Sequence, residues 1–369
     1  MRWRRSMKLL LVSNLSRSAR AINTIVQYSR VADTSGHQVA VFGERQSDFP
    51  DLHFSLNVNE YDYAIFIVYM PSDFPDLPYL ANLLDGTPKS RRVIIDCTGR
   101  YNDTVRVEHD FNHLEKMDGH QGWEWIEAFQ SVADRVLQPT LAPLREDVRS
   151  CLFHGYDPGA VVRPFRTAAE AAQHWSRGAQ RYGIAYVGHN WQRWSQVRPL
   201  LEAVAATSPS PGPVTLVGAD WQQRPDWAMQ LGIKGVDVDP ELLQRLAVEV
   251  RDPIPFSEIP RFLSYARFSP IIHRPLFNAL GLVTNRTFET FLADTLPLVM
   301  LPEALAKATY GPDVQPLVPG DDIAGRLADM MGDPEPYWEA VLRVREYLAE
   351  HHSYRQRLSE LGALLQCRA

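Results

Sequence analysis

The chain has 369 residues, 45% hydrophobic and 22% charged, which suits two ordinary soluble cores and excludes a disordered or fibrous polymer. A formal charge of −6 disfavours nucleic acid as a partner, because a phosphate backbone needs a basic face, and leaves room only for a local basic groove. Cys97, Cys151 and Cys367 stand far apart with no CxxC, which excludes a disulfide framework or zinc ribbon and fits a cytoplasmic protein.

No apolar run approaches the ~18 residues of a membrane span. The opening MRWRRS reads as a frayed tail before a first buried strand at 8–12, not as a secretory leader, since the apolar run is too short. A polar loop with Ser13, Asn14, Ser16 and Arg17 follows, then a helix at 19–32 and a strand at 38–42. The loop lacks GxGxxG, which disfavours a usual NAD site. Continuous apolar runs at 63–68 and 92–96 predict central parallel strands, with a helix at 79–84 between them.

Ligands of open α/β sheets sit beyond the carboxyl ends of the strands. The loops 13–17 and 98–103, the latter with Arg100 and Asp103, are therefore the polar rims of the first half. The hexapeptide SDFPDL occurs at 47–52 and again at 72–77 without flanking similarity, and reads as a repeated local turn. Residues 107–122 concentrate His109, Asp110, His113, Asp118 and His120; without HExxH spacing they read as a cleft rim rather than a metal site. A helix at 123–133 and a strand at 135–138 follow.

CLFHGYDP at 151–158 ends in a turn, and 159–181 is looser and Ala-rich, so the domain boundary belongs there. The second half restarts the pattern. A strand at 184–187 leads into a Gly-led loop, Gly188 to Trp194, then a helix at 197–206 with Pro199 in its first turn and a strand at 214–217. Asp237-Val238-Asp239 has the DxD form that can hold a divalent ion, but Asp239 as N-cap before Pro240 explains it better. Strand 248–251 and helix 259–266 follow, and the tail 337–365 predicts two helices broken near His351-His352-Ser353.

Residues 269–300 hold the most informative stretch: an apolar strand, a loop with Gly281, Thr284 and Asn285, a short helix at 286–293, and a closing apolar run at 296–301. A helix start offers unpaired N–H groups and partial positive charge, which suits a phosphate. Arg286 adds a cation, and Glu289, one turn further in, is placed to take ribose hydroxyls. A capped surface helix with one solvated Glu is the plainer alternative.

Four segments carry a family resemblance: the linker at 153–158 resembles pxGxDp, YVGHNWQRW resembles the Val-Gly turn of a nucleotide-binding half, RDPIPFSEIPRFLSYARFSPIIHRP the segment leading to a donor site, and NRTFETFLADTLPLV the motif RxFEaxAcGxplv. Together they resemble GT-B glycosyltransferases, with the CgeB-like (spore-maturation type) group nearest through the Hxsyxxr-like helix beginning at His352. The resemblance is best over 151–365 and thin in the first half. It implies an α/β fold of two Rossmann-like parallel-sheet domains facing across a cleft: an acceptor-side domain at 1–158, a linker at 159–181, a nucleotide-sugar domain at 182–336, and C-terminal helices at 337–369 packing back towards the first domain.

The function implied is transfer of a sugar from a nucleotide-diphosphate donor to an acceptor, with no bound metal and no cofactor beyond the donor substrate. Donor-binding candidates are Gly188, Asn190, Arg193, His273, Arg274, Asn285, Arg286, Thr287 and Glu289. Acceptor-side candidates are Asn14, Arg17 and Arg100; candidate catalytic bases are Asp103, His109 and Asp110. Two departures stand out. Leu282 occupies the place of the first glutamate of the retaining-type pair, and Asp294-Thr295 replaces a small-residue pair, which bears on the loop near the donor phosphates. A module that binds sugar or nucleotide without turnover, and a sugar-nucleotide epimerase of the same architecture, remain the alternatives.

Overall fold

A computed structural model describes residues 6–15, 19–69, 74, 77–102, 122–178, 180–230 and 235–366. Its first sheet has seven strands in the order β3-β2-β1-β4-β5-β6-β7. They are β1 (Lys8–Val12), β2 (Gln38–Phe42), β3 (Phe54–Ser55), β4 (Tyr63–Val68), β5 (Arg92–Asp96), β6 (Arg135–Gln138) and β7 (Val148–Ser150). Every pairing is parallel. The two-residue repeat of a strand explains why the apolar runs are continuous. Leu9 and Leu11 enter the core on one face, with Ile25 and Tyr28, while Leu10 and Val12 enter the core on the other, with Phe66 and Phe129.

The second sheet has five parallel strands in the order β10-β9-β8-β11-β12. They are β8 (Tyr182–Val187), β9 (Val214–Val217), β10 (Glu249–Arg251), β11 (Ala266–Ile271) and β12 (Leu296–Val299). Each sheet has one place where the chain reverses its direction of winding: β1/β4 in the first, β8/β11 in the second. Such switch points open a crevice at the carboxyl ends of the strands.

The two sheets present those ends to a common boundary. Gly281 to Val283, before the second-domain helix Asn285–Leu292, runs against the segment just past β6: Val283 N–H donates to the Pro139 carbonyl at 2.7 Å, and Thr140 bridges Leu282. Gly99, past β5, has φ +74° and lies so close that a Cβ there would stand 2.3 Å from Leu280 and 2.9 Å from Leu282. The chain crosses the boundary twice. Tyr156 N–H donates to the His352 carbonyl at 2.8 Å, and after that crossing the helix Tyr354–Gln366 buries Leu358, Leu361 and Leu365 against the first domain.

Several local readings change. The helix expected at 197–206 begins at Trp194, so Pro199 lies in its second turn, where it forfeits one intrahelical bond. The loop expected between β11 and residue 285 contains a further helix, Pro275–Leu280, opened by Pro at its first position and ended by Gly281 at φ +59°. Asp239 caps the helix Pro240–Arg245 through Leu242 N–H at 3.0 Å, and Asp237 pairs with Arg224 at 3.0 Å.

Candidate active site

The β8/β11 crevice collects most of the donor-binding candidates. From β8 the chain turns at Gly188; from β11 it runs through His273 and Arg274; the helix Asn285–Leu292 starts beside both. Thr284 caps that helix in a reciprocal box with Thr287, whose Oγ1 accepts from Thr284 N–H at 3.1 Å. The box satisfies the third helical amide. A helix start has amides without an acceptor of its own helix, which suits an anion.

Arg286 reaches from the helix back over β8. Its Nη1 donates to Tyr186 Oη at 3.0 Å and to the Val187 carbonyl, and the guanidinium lies 5.2 Å from the Tyr186 ring centroid. Only glycine fits beneath it at 188, where φ is +156° and a Cβ would approach Arg286 Nη1 to 2.4 Å. Arg193 donates to the His189 carbonyl at 2.8 Å, and Arg274 lies 4.0 Å from the Phe277 ring centroid. Both remain partly exposed, so each cation is fixed by a neighbour yet reachable from the crevice.

His273 is buried among these cations. Its Nε2 meets Thr287 Oγ1 at 3.3 Å, and its carbonyl accepts from Gln196 at 2.8 Å. Burial first, then Arg286, Arg193 and Arg274, push the imidazole down to about 3, so it is neutral. His273 Nδ1 is buried and has no hydrogen-bond partner among the described residues; where Thr287 donates to Nε2, the ring proton sits on Nδ1. A buried donor flanked by three arginines and a helix start is a site shaped for anionic oxygens.

Glu289 lies one turn into the same helix and is half-buried. Burial pushes its carboxyl up to about 7 against the pull of Arg286. Asn190 holds the loop itself: its amide nitrogen donates to the carbonyls of Asp220 at 3.0 Å and Val236 at 3.2 Å. Asn285 faces the first domain, where its Oδ1 accepts from Thr24 at 3.2 Å.

On the other side, Asn14 follows β1, Tyr69 follows β4, and Arg100 lies in the loop after β5. Asp96, fully buried, builds that loop. Its Oδ1 accepts from Thr98 N–H, Thr98 Oγ1 and Gly99 N–H, and its Oδ2 from Tyr101 N–H and Gln138, all between 2.6 and 3.1 Å. Arg17, Asp103, His109 and Asp110 lie outside the described residues. Leu282 is buried in an apolar cluster with Leu276 and Leu280, so its position offers no acid–base group.

Asp294 and Thr295 act elsewhere than the sequence suggests. They stand past the far end of an eight-residue helix, roughly 12 Å from its start at 1.5 Å per residue. Asp294 pairs there with Arg163 at 3.1 Å and with His174 of the helix Ala168–Ser176 at 3.2 Å. Sequence reasoning missed Tyr186, Gln196, Thr24 and Asp96. Asp96 carried a signal, a carboxylate at a strand end followed by Cys-Thr-Gly, a pattern that favours a side-chain-closed turn.

No protein-family model and no curated protein matches the sequence significantly. Solved structures do match in fold. An alpha-glucosyltransferase in complex with UDP-glucose and DNA containing an abasic site has TM-score 0.60 and 12% identity, over 98% of this chain and 100% of that one. The same figures for identity and coverage, with TM-score 0.59, hold for an alpha-glucosyltransferase in complex with UDP and a 13-mer DNA containing an HMU base. T4 phage BGT in complex with UDP and Mn2+ matches at TM-score 0.56 and 12% identity over the same shares. The architecture is therefore that of GT-B glycosyltransferases: two Rossmann-like parallel-sheet domains facing across a cleft.

One expectation is overturned. Nucleic acid was disfavoured as a partner on the acidic net charge, yet two of these matching structures are complexes with DNA. Net charge sums the entire surface, whereas docking a phosphate backbone depends on the local field of one face. Among the described residues, no helix is long and apolar enough to cross a membrane.

Proposed function

We propose that this protein is a glycosyltransferase that moves a sugar from a UDP-sugar donor to an acceptor hydroxyl. The observation that carries the reading is the convergence of neutral His273, Arg193, Arg274 and Arg286 on the start of the helix Asn285–Leu292, at the β8/β11 crevice. The donor diphosphate accepts from the helix amides and His273 Nδ1, and the arginines stabilise the charge that grows on it as the glycosidic bond to phosphate breaks. Glu289 takes the ribose hydroxyls. Because these cations are part of the chain, the departing diphosphate needs no bound metal to balance it.

The acceptor enters from the β1/β4 side, past Asn14, Tyr69 and Arg100, with Asp103, His109 and Asp110 as candidate bases for its hydroxyl. Buried Leu282 supports a reaction without a carboxylate at that point, and equally supports a second reading, a module that binds the nucleotide without turnover. DNA bearing a hydroxylated base is the first acceptor to offer, by similarity to the complexes above.

Labelled UDP-glucose incubated with the protein, with and without EDTA, tests the reading. Expected are slow UDP release alone, label transfer when an acceptor such as HMU-containing duplex is present, and persistence of both in EDTA. UDP binding without release for any acceptor would favour the module, and loss of activity in EDTA would overturn metal independence.

A further inference from the structure

We propose that Thr24, a residue of the first domain, is a positioning residue for the diphosphate site of the second: its hydroxyl sets the side chain of Asn285 at the helix start. The inference rests on the donor reading above. Thr24 lies in the helix Ala19–Ser35 and is fully buried. Its Oγ1 stands within reach of groups from three other segments: Asn285 Oδ1 at 3.2 Å, His154 Nδ1 at 3.0 Å and Tyr354 Oη at 3.4 Å.

The directions of these bonds follow from proton counting. A hydroxyl has one proton, and Asn285 Oδ1 can only accept, so Thr24 donates to Asn285. His154 must then present Nδ1–H to Thr24, which leaves its Nε2 to accept from Tyr69 Oη at 3.1 Å. That assignment requires a neutral imidazole. Burial supplies it, pushing His154 down to about 3.

The result is one directed chain, Tyr69 to His154 to Thr24 to Asn285. It starts at the β1/β4 crevice of the first sheet, passes through His154 in the segment 151–158, and ends at the helix start of the second domain. Packing does not need the hydroxyl: Ala21, Ile25, Tyr28 and Ala32 hold the helix to the first core. What the hydroxyl adds is a link between that core and Asn285 at the start of the helix. Valine at 24 keeps the shape and removes the link.

The experiment is calorimetric titration of UDP into the wild type, Thr24→Val, Thr24→Ser, Asn285→Ala and the Thr24→Val/Asn285→Ala pair, each with its melting temperature. Thr24→Val is expected to weaken UDP about five- to tenfold, as for one lost hydrogen bond, and Thr24→Ser to stay within about twofold. In the Asn285→Ala background, Thr24→Val should add nothing, because the effect passes through Asn285. A Thr24→Val protein that melts earlier yet binds UDP like the wild type would overturn the inference, as would full additivity with Asn285→Ala. Should Thr24→Val not fold, Tyr69→Phe reads the chain from its other end, with an expected loss of about threefold and an unchanged Kd as the refuting result. A wild type that binds no UDP overturns the donor reading and this inference together; wild-type binding with an indifferent Thr24→Val overturns this inference alone.

Discussion

Glu289→Gln separates the cost of holding a carboxylate in the crevice from its use in binding. The side chain is half-buried one turn into the donor helix, beside Arg286 and within electrostatic reach of Tyr354. Burial raises the carboxyl from 4.5 to about 7. A folded value above the unfolded one means that the group favours the folded state most below pH 4.5, and that this contribution is lost as pH rises through 7. The ceiling is about 3 kcal/mol at 1.36 kcal/mol per tenfold change. Residual contact with solvent reduces it to roughly 1–2 kcal/mol. Glutamine carries no charge to desolvate. Urea unfolding from pH 5 to 8.5 should therefore show Glu289→Gln gaining on the wild type by about 1–2 kcal/mol as pH rises. Over the same range UDP should bind the wild type more tightly with rising pH than it binds Glu289→Gln, because ribose hydroxyls donate to the charged form. Stability curves that stay parallel at every pH would refute the burial argument.

The buried histidines predict the opposite trend in acid. His154, His273 and His352 are each pushed down to about 3, so the stability they carry is present above the unfolded value of 6.5 and lost as pH falls below it. His273→Gln should flatten the acid limb by up to about 1.4 kcal/mol per pH unit; an unchanged slope in urea melts from pH 6.5 to 4 would contradict the neutral assignment. Gly188→Ala should cost about 1–3 kcal/mol, through its positive φ and a Cβ 2.4 Å from Arg286 Nη1, and should weaken UDP as Arg286 is displaced. Wild-type affinity and melting temperature would refute the close approach. Asp96→Asn converts one acceptor oxygen into a donor facing donors and should cost about 2–4 kcal/mol in chemical denaturation. A loss below about 0.5 kcal/mol would mean that the loop after β5 closes without it.

The two sheets were readable because each central strand is a continuous apolar run of three to six residues, and only strands buried on both faces need that pattern. The donor helix was readable within one residue, since Thr284 and Thr287 form a local capping box. The helix Pro275–Leu280 was missed although it carries Pro at its start and Gly281 at its end; six residues are too few to establish a periodicity. The Asp294 ion pairs and the Thr24–His154–Asn285 chain were beyond reach for another reason. Their partners lie 120 or more residues apart, and no local pattern encodes a contact made only in the folded chain. Net charge misled because it carries no address on the surface.

The central claim is that a diphosphate is held at the start of the helix Asn285–Leu292. A crystal structure of the protein grown with UDP tests it most directly. Phosphate oxygens are expected at about 2.7–3.2 Å from His273 Nδ1 and the amides of Asn285 and Arg286, with the ribose hydroxyls on Glu289. Clear density for UDP elsewhere on the molecule, with this helix start untouched, would contradict it.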